Sequence, residues 1–168
     1  MCPSESLLHF LKAWEGLPGG RPALEAYDDG GGVWTIGYGH THGVKPGDVC
    51  SAERANDWLE AEVDECWHAI DHGIAVTLAQ HEMDALTSLA YNIGVGAFLT
   101  STLLRRLNSG DFGSAAEEFP RWCRDNGRIV PGLVKRRAAE RQMFTDADYS
   151  NTPWPSRASV AIALIPSW

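Results

Sequence analysis

A chain of 168 residues with 44% hydrophobic and 21% charged side chains has the size and composition of one globular domain with a real core. Its formal charge of -8 excludes a general nucleic-acid binder, which is ordinarily basic. No apolar run approaches the roughly 20 residues that span a bilayer, so stable membrane insertion is not expected.

Leu7, Leu8, Phe10, Leu11 and Trp14 recur at helical spacing, with Ser4 or Ser6 available as a cap and Gly16 as a stop. This predicts a first helix ending at Glu15. The same N-terminal stretch lacks a basic region followed by an apolar core, so no signal peptide is expected and synthesis in a cytoplasm follows. From Pro18 to Gly47 the chain turns glycine-rich and alternates through Val33-Trp34-Thr35-Ile36-Gly37-Tyr38, which predicts a small antiparallel sheet of two or three short strands.

Helical patterns return after this segment. Ser51 is placed to cap a helix that carries Ala55, Trp58, Leu59, Val63, Cys66, Trp67 and Ile70 on one face. Thr77-x-x-Gln80 has capping-box form and opens a helix running to Gly94. Shorter helices are predicted over Ser101–Asn108 and Gly113–Phe119, and a last one over Leu133–Phe144 behind Pro131-Gly132. The fold class is α+β, mainly α, with a small antiparallel β lobe set into a helical protein. Residues 1–145 form the domain, with the β lobe at about 18–47, and residues 146–168 form a tail. Trp154 and the apolar stretch Val160–Ile165 suit a strap over the domain surface.

Charge is unevenly spread. Residues 51–85 hold nine acidic side chains against one basic, whereas residues 120–142 hold seven basic side chains against two acidic. Either these are solvated helix faces, or the basic region attracts an anionic polymer. Four widely spaced cysteines (Cys2, Cys50, Cys66 and Cys123) do not form a small disulfide scaffold, and reduced thiols are the expectation.

Two carboxylate settings stand out. Glu15 follows Trp14 at the end of an apolar helix, surroundings that desolvate a carboxyl and suit a proton donor. Asp28 and Asp29 occupy a glycine-rich turn, which keeps a carboxylate ionised. Glycoside hydrolysis requires such a pair on opposite sides of the bond.

The ordered motifs Glu15-Gly16, Ala26-Tyr27-Asp28-Asp29, Trp34-Thr35-Ile36-Gly37-Tyr38-Gly39-His40-Thr41, Ala90-Tyr91-Asn92-Ile93-Gly94, Phe119-Pro120-Arg121-Trp122 and Gly132-Leu133-Val134-Lys135-Arg136-Arg137 resemble the phage-type lysozymes of glycoside hydrolase family 24, the group that includes tailed-phage endolysins. The resemblance covers roughly Leu7 to Phe144. It implies a lysozyme-like fold with a cleft between a small β lobe and a larger helical lobe. It also implies hydrolysis of the β-1,4 bond between N-acetylmuramic acid and N-acetylglucosamine in peptidoglycan, with inversion, for host lysis.

In the family pattern the acid is Glu15, the second carboxylate is Asp29, two residues after Tyr27 and six before Thr35, and Thr35 helps hold the attacking water. Gly39, Thr41, Tyr91, Thr102 and Trp122 are implied as substrate-binding residues, with a core role as the alternative for Trp122. His40 is implied as a structural histidine paired to a carboxylate. Arg136 or Arg137 pairs with Glu15 in the family picture, with a solvated basic stripe as the alternative. The chain departs from the pattern between Glu15 and Tyr27, where Pro18-Gly19-Gly20-Arg21-Pro22 forms an extra loop.

No cofactor is implied. His40-x-His42 with Cys50, and His68 with His72, are incomplete metal-ligand sets, so no metal is expected. The implied partners are peptidoglycan glycan strands, reached through a holin, and a monomer is expected. Competing functions are a lytic transglycosylase, a silent wall-binding module, and the same muramidase domain used as a delivered antibacterial effector.

Overall fold

The computed structural model describes residues 1–147; the 148–168 segment of the tail, including Trp154 and Val160–Ile165, lies outside the described residues. The chain is mainly helical and divides into two compact units. Among the described residues, one runs from Leu8 to Glu62; the other combines Met1–Leu7 with residues 63–147.

Helix α1 spans Glu5–Glu15. Leu7, Phe10, Leu11 and Trp14 make its buried stripe. Ser4, not Ser6, starts it: the Ser4 hydroxyl accepts from the Leu7 amide (3.1 Å) and donates to the buried Asp84 carboxylate (2.6 Å).

In the first unit, strands β1 (Ala23–Asp28) and β2 (Trp34–Gly37) pair antiparallel, with Tyr27 opposite Thr35 and Asp28 opposite Trp34. The ladder continues one step further, since the Asp29 amide donates to the Val33 carbonyl (3.1 Å). Residues 48–50 lie along the other edge of β1 through Ala26 N–H to Asp48 C=O and Cys50 N–H to Leu24 C=O, both 2.9 Å. Helix α2 spans Ala52–Asp71; Ser51 Oγ accepts from the Arg54 amide (3.2 Å). Its face of Ala55, Leu59, Val63, Cys66, Trp67 and Ile70 is buried.

In the second unit, α3 (Gln80–Ile93) is buried at every residue from Met83 to Ala90, as befits a central helix. Its start differs from the Thr77 capping box expected from sequence. Ala79 is the cap residue, and the Glu82 carboxylate accepts from the Ala79 amide (2.7 Å), so the acidic side chain three residues in does the capping. Helices α4 (Val95–Leu99), α5 (Thr102–Asn108) and α6 (Phe112–Ala116) follow, with Ser101 and Asp111 as side-chain caps of the last two.

The helix expected over 113–119 is shorter. Pro120 opens a separate 3-10 turn, Phe119–Trp122, because proline cannot donate in a continuing helix. Strands β3 (Arg124–Asp125) and β4 (Arg128–Ile129) form a hairpin that the hydrophobic pattern does not announce. Its turn residues do: Asn126 and Gly127 both have positive φ, the geometry an Asn-Gly turn requires. Helix α7, Pro131–Thr145, packs on α3. All four cysteines carry free thiols, and Cys66 is buried.

Candidate active site

Glu15 is the last residue of α1 and is half-buried beside Trp14, whose ring lies 6.0 Å from that of Phe10. The residue after this helix end is closely packed by backbone, which favours glycine. A Cβ on Gly16 would stand 2.6 Å from the Lys12 carbonyl oxygen, 2.9 Å from that of Arg21 and 2.9 Å from the Gly20 carbonyl carbon. The extra loop therefore folds straight back on the helix. It is closed by Leu17 N–H to Arg21 C=O (2.7 Å) and Gly20 N–H to Leu17 C=O (2.9 Å), and braced by Arg21 Nε on the Pro18 carbonyl (3.3 Å). The buried Tyr38 hydroxyl donates to the Gly20 carbonyl (3.3 Å), and burial raises the Tyr38 phenol above its ordinary range, so it stays a donor.

The hairpin turn after β1 orders two adjacent carboxylates. Asp28 Oδ1 accepts from the Gly30 and Gly32 amides (2.8 and 3.0 Å), and Asp29 Oδ1 from those of Gly31 and Val33 (2.7 and 3.2 Å). Asp29 Oδ2 has no hydrogen-bond partner among the described residues. Strand pleat separates the pair. Successive residues face opposite sides, so Asp29 shares the Tyr27–Thr35 face and Asp28 the Trp34 face. Burial follows the same division, with Asp28 exposed, Asp29 half-buried and Thr35 only 2% exposed. Thr35 Oγ1 donates to the Val33 carbonyl (3.4 Å).

Beyond β2, Ile36 and His40 exchange two backbone bonds of 2.9 Å across a turn whose Gly37 and Gly39 have φ of 68° and 105°. Gly39 and Thr41, expected to meet substrate, flank His40 here and are half-buried. His40 Nδ1 lies 2.6 Å from Glu62 Oε1, and the His40 ring stacks on Trp58 at 4.4 Å and 5°. The Arg54 guanidinium covers the same indole at 5.0 Å. Nothing in the sequence pairs His40 with Glu62, 22 residues away; the preceding β turn and the α2 face bring them together.

Tyr91 (on α3), Thr102 (first residue of α5) and Trp122 (end of the 3-10 turn) belong to the second unit and are half-buried there. Thr102 Oγ1 accepts from Arg105 Nη2 at 3.1 Å. Arg136 and Arg137, for which a solvated stripe was the alternative, are instead buried, at 4% and 0% exposed. Both pair with the fully buried Glu140: Arg136 Nε at 3.1 Å, Arg137 Nε at 2.8 Å and Arg137 Nη2 at 3.0 Å. Ser88 Oγ donates to the same carboxylate (2.7 Å), and Arg137 Nη2 also reaches Asn92 Oδ1 (2.9 Å). The i, i+3 and i, i+4 spacing of these residues was the available signal for the cluster.

No group of three or more His, Cys, Asp or Glu side chains among the described residues is arranged to hold a metal. His72 Nδ1 lies 2.6 Å from the His68 carbonyl, and His68 stands 3.6 Å from Asp64. Among the described residues no helix is long and apolar enough to cross a membrane.

A small antiparallel hairpin in an otherwise mainly helical chain is the fold class of the lysozyme-type glycoside hydrolases. Known proteins agree with this fold class. The family model for phage lysozyme matches residues 12–140. An endolysin of Acyrthosiphon pisum secondary endosymbiont phage 1 is 43% identical over 148 residues, covering 86% of this chain and 98% of its own. An endolysin of Bacillus phage PZA is 36% identical over 168 residues, but the 98% of this chain that aligns spans only 62% of that longer relative. The solved endolysin from Escherichia coli O157:H7 phage FAHEc1 superposes with a TM-score of 0.77 at 37% identity, covering 89% of this chain and 96% of that one. The chain belongs to the phage lysozyme family of muramidase-type hydrolases.

Proposed function

We propose that this enzyme hydrolyses the β-1,4 bond between N-acetylmuramic acid and N-acetylglucosamine of peptidoglycan with inversion, and that it serves host cell lysis. Glu15 gives its proton to the glycosidic oxygen as the bond from that oxygen to the anomeric carbon breaks. Water attacks the anomeric carbon from the opposite face and passes its proton to Asp29, while Thr35 helps to hold it. The products are a 4-hydroxyl on N-acetylglucosamine and a reducing N-acetylmuramic acid of α configuration.

The observation that carries this reading is the hairpin. Asp29, one residue past β1, spends one oxygen on the turn amides, and among the described residues its Oδ2 has no hydrogen-bond partner; strand alternation carries it to the side of Tyr27 and Thr35. Gly39, Thr41, Tyr91, Thr102 and Trp122 are proposed to contact the glycan, and His40 with its Glu62 partner to brace the hairpin end. We further propose synthesis in a cytoplasm and release through a holin; lysis by the expressed chain with and without a holin tests it.

The enzymatic test uses purified peptidoglycan. Wild type is expected to clear it and to release reducing-end muropeptides by mass spectrometry, with the α anomer appearing first by NMR. Glu15→Gln is expected to lose nearly all turnover. A 1,6-anhydro product from wild type would overturn the hydrolytic mechanism.

A further inference from the structure

One face of α7 carries the buried Arg137, Glu140, Met143 and Phe144. On the opposite face Val134, Ala138, Arg141, Gln142 and Thr145 recur at i, i+4, i+7, i+8 and i+11, the spacing that gathers side chains on one side of a helix. With Pro120 and Cys123 they line a groove of about 500 Å³. Val134 stays 45% exposed in it. The charged member of the wall, Arg141, is already paired with Glu117, which favours an apolar occupant over an anion.

Thr145 is both the end of this groove and the last residue of α7, and the chain continues from there into the 148–168 segment. That segment has Asp148 and Arg157 as its charged residues, set among Tyr149, Trp154, Val160, Ile162, Leu164 and Ile165. Such a composition gains from burial. At 1.5 Å per residue the groove wall runs roughly 16 Å along the helix from Val134 to Thr145. A chain turning back from Thr145 covers up to about 3.3 Å per residue, so residues 149–154 can reach all of it. Tethering also holds the segment near the groove at an effective concentration on the order of millimolar, an advantage over any free partner. The last turn of α7 and the segment both lie beyond residues 12–140, the part matched by the family model.

We propose that the groove between α7 and the 3-10 turn is a docking site for this chain's own segment 149–154, with Tyr149 and Trp154 as the side chains that fill it. The seated segment covers the Cys123 thiol and ties the end of the last helix to the 119–122 turn. The proposal stands apart from the roles given to Glu15, Asp29 and Thr35.

Cys123, a free thiol in the groove wall, serves as the reporter. The full chain is labelled with a maleimide under native conditions, and the rate at each cysteine is followed by peptide mass spectrometry, with the exposed Cys2 as the internal reference. Tyr149→Ser combined with Trp154→Ser is expected to raise the Cys123 rate by about tenfold and to leave the Cys2 rate unchanged. Hydrogen exchange gives a second readout. The amides of 149–154 are expected to exchange slowly in wild type and about as fast as a free peptide in Ala138→Gln, where a longer polar side chain crowds the groove from an exposed helix position. Thermal melts confirm folding, and if the double substitution does not fold, Ala138→Gln alone carries the comparison. Equal Cys123 rates in wild type and the double variant, or free-peptide exchange of 149–154 in wild type, overturns the proposal. Protection that disappears on dilution would place a second copy's segment in the groove and overturn the assignment to the chain's own.

Discussion

Asp28 and Asp29, adjacent in the chain, hold alternate amides of one turn: Asp28 takes Gly30 and Gly32, and Asp29 takes Gly31 and Val33. Their structural work is nearly equivalent, and the strand pleat alone sends them to opposite faces.

That equivalence gives a clean comparison. Asparagine retains the Oδ1 acceptor, so both Asp28→Asn and Asp29→Asn should keep the turn and melt close to wild type. Asp29→Asn loses the charge proposed to activate water and is expected to lower kcat by about 10²- to 10⁴-fold. Asp28→Asn is expected to stay within about threefold, the range of a perturbed hydrogen bond. Equal losses in the two variants would remove the assignment of Asp29 over Asp28.

Gly16→Ala puts a methyl 2.6 Å from a backbone oxygen of the preceding turn and 2.9 Å from the returning loop. Neither neighbour is a flexible side-chain end. The expected cost is about 1–3 kcal/mol of stability, with a disproportionate fall in kcat because the strain falls on the residue after Glu15, the proposed acid. Denaturant melts and turnover on peptidoglycan check it.

Glu140 is the shared anion for Arg136 and Arg137, all three buried. Glu140→Gln removes the buried carboxylate that both guanidinium groups share. Stability is expected to fall by about 3–5 kcal/mol, enough to unfold a marginal domain near physiological temperature. A melt unchanged within a degree or two would show that the cluster contributes little.

Burial pushes the Cys66 thiol up from its ordinary 9.0 to about 12. In the folded state Cys66 is therefore the thiol least reactive to maleimide at pH 9, and unfolding exposes it. The linkage has a definite sign. Below pH 9 the thiol is protonated in both states and costs nothing; between about pH 9 and 12 only the unfolded chain ionises, so stability falls as pH rises. Cys66→Ala is expected to lose that part of the alkaline slope while paying a cavity cost at neutral pH.

The helix stripe of Leu7, Phe10, Leu11 and Trp14, the glycine stop at Gly16 and the alternation through Val33–Tyr38 were legible because each is a local pattern with its own period. The α4 helix and the β3–β4 hairpin were not legible from hydrophobic period. Val95–Leu99 is too short to show one, and the hairpin strands are exposed pairs held by an Asn-Gly turn. The helix starts at Ala79 and not at Thr77 because Glu82 caps from inside the helix, a role the local sequence offers equally to the Thr77 hydroxyl.

By itself the sequence determined the first helix and the residue at its end, the β1–β2 hairpin, the long helices and the candidate carboxylates, since these depend on neighbours a few positions apart. Tertiary structure decided the rest. It brought Glu62 and Trp58 to His40, buried Arg136 and Arg137 around Glu140, and laid the extra loop against Gly16 under the Tyr38 hydroxyl. Such pairings join residues far apart in the chain, and their strength comes from desolvation and close packing that exist only once the elements have met.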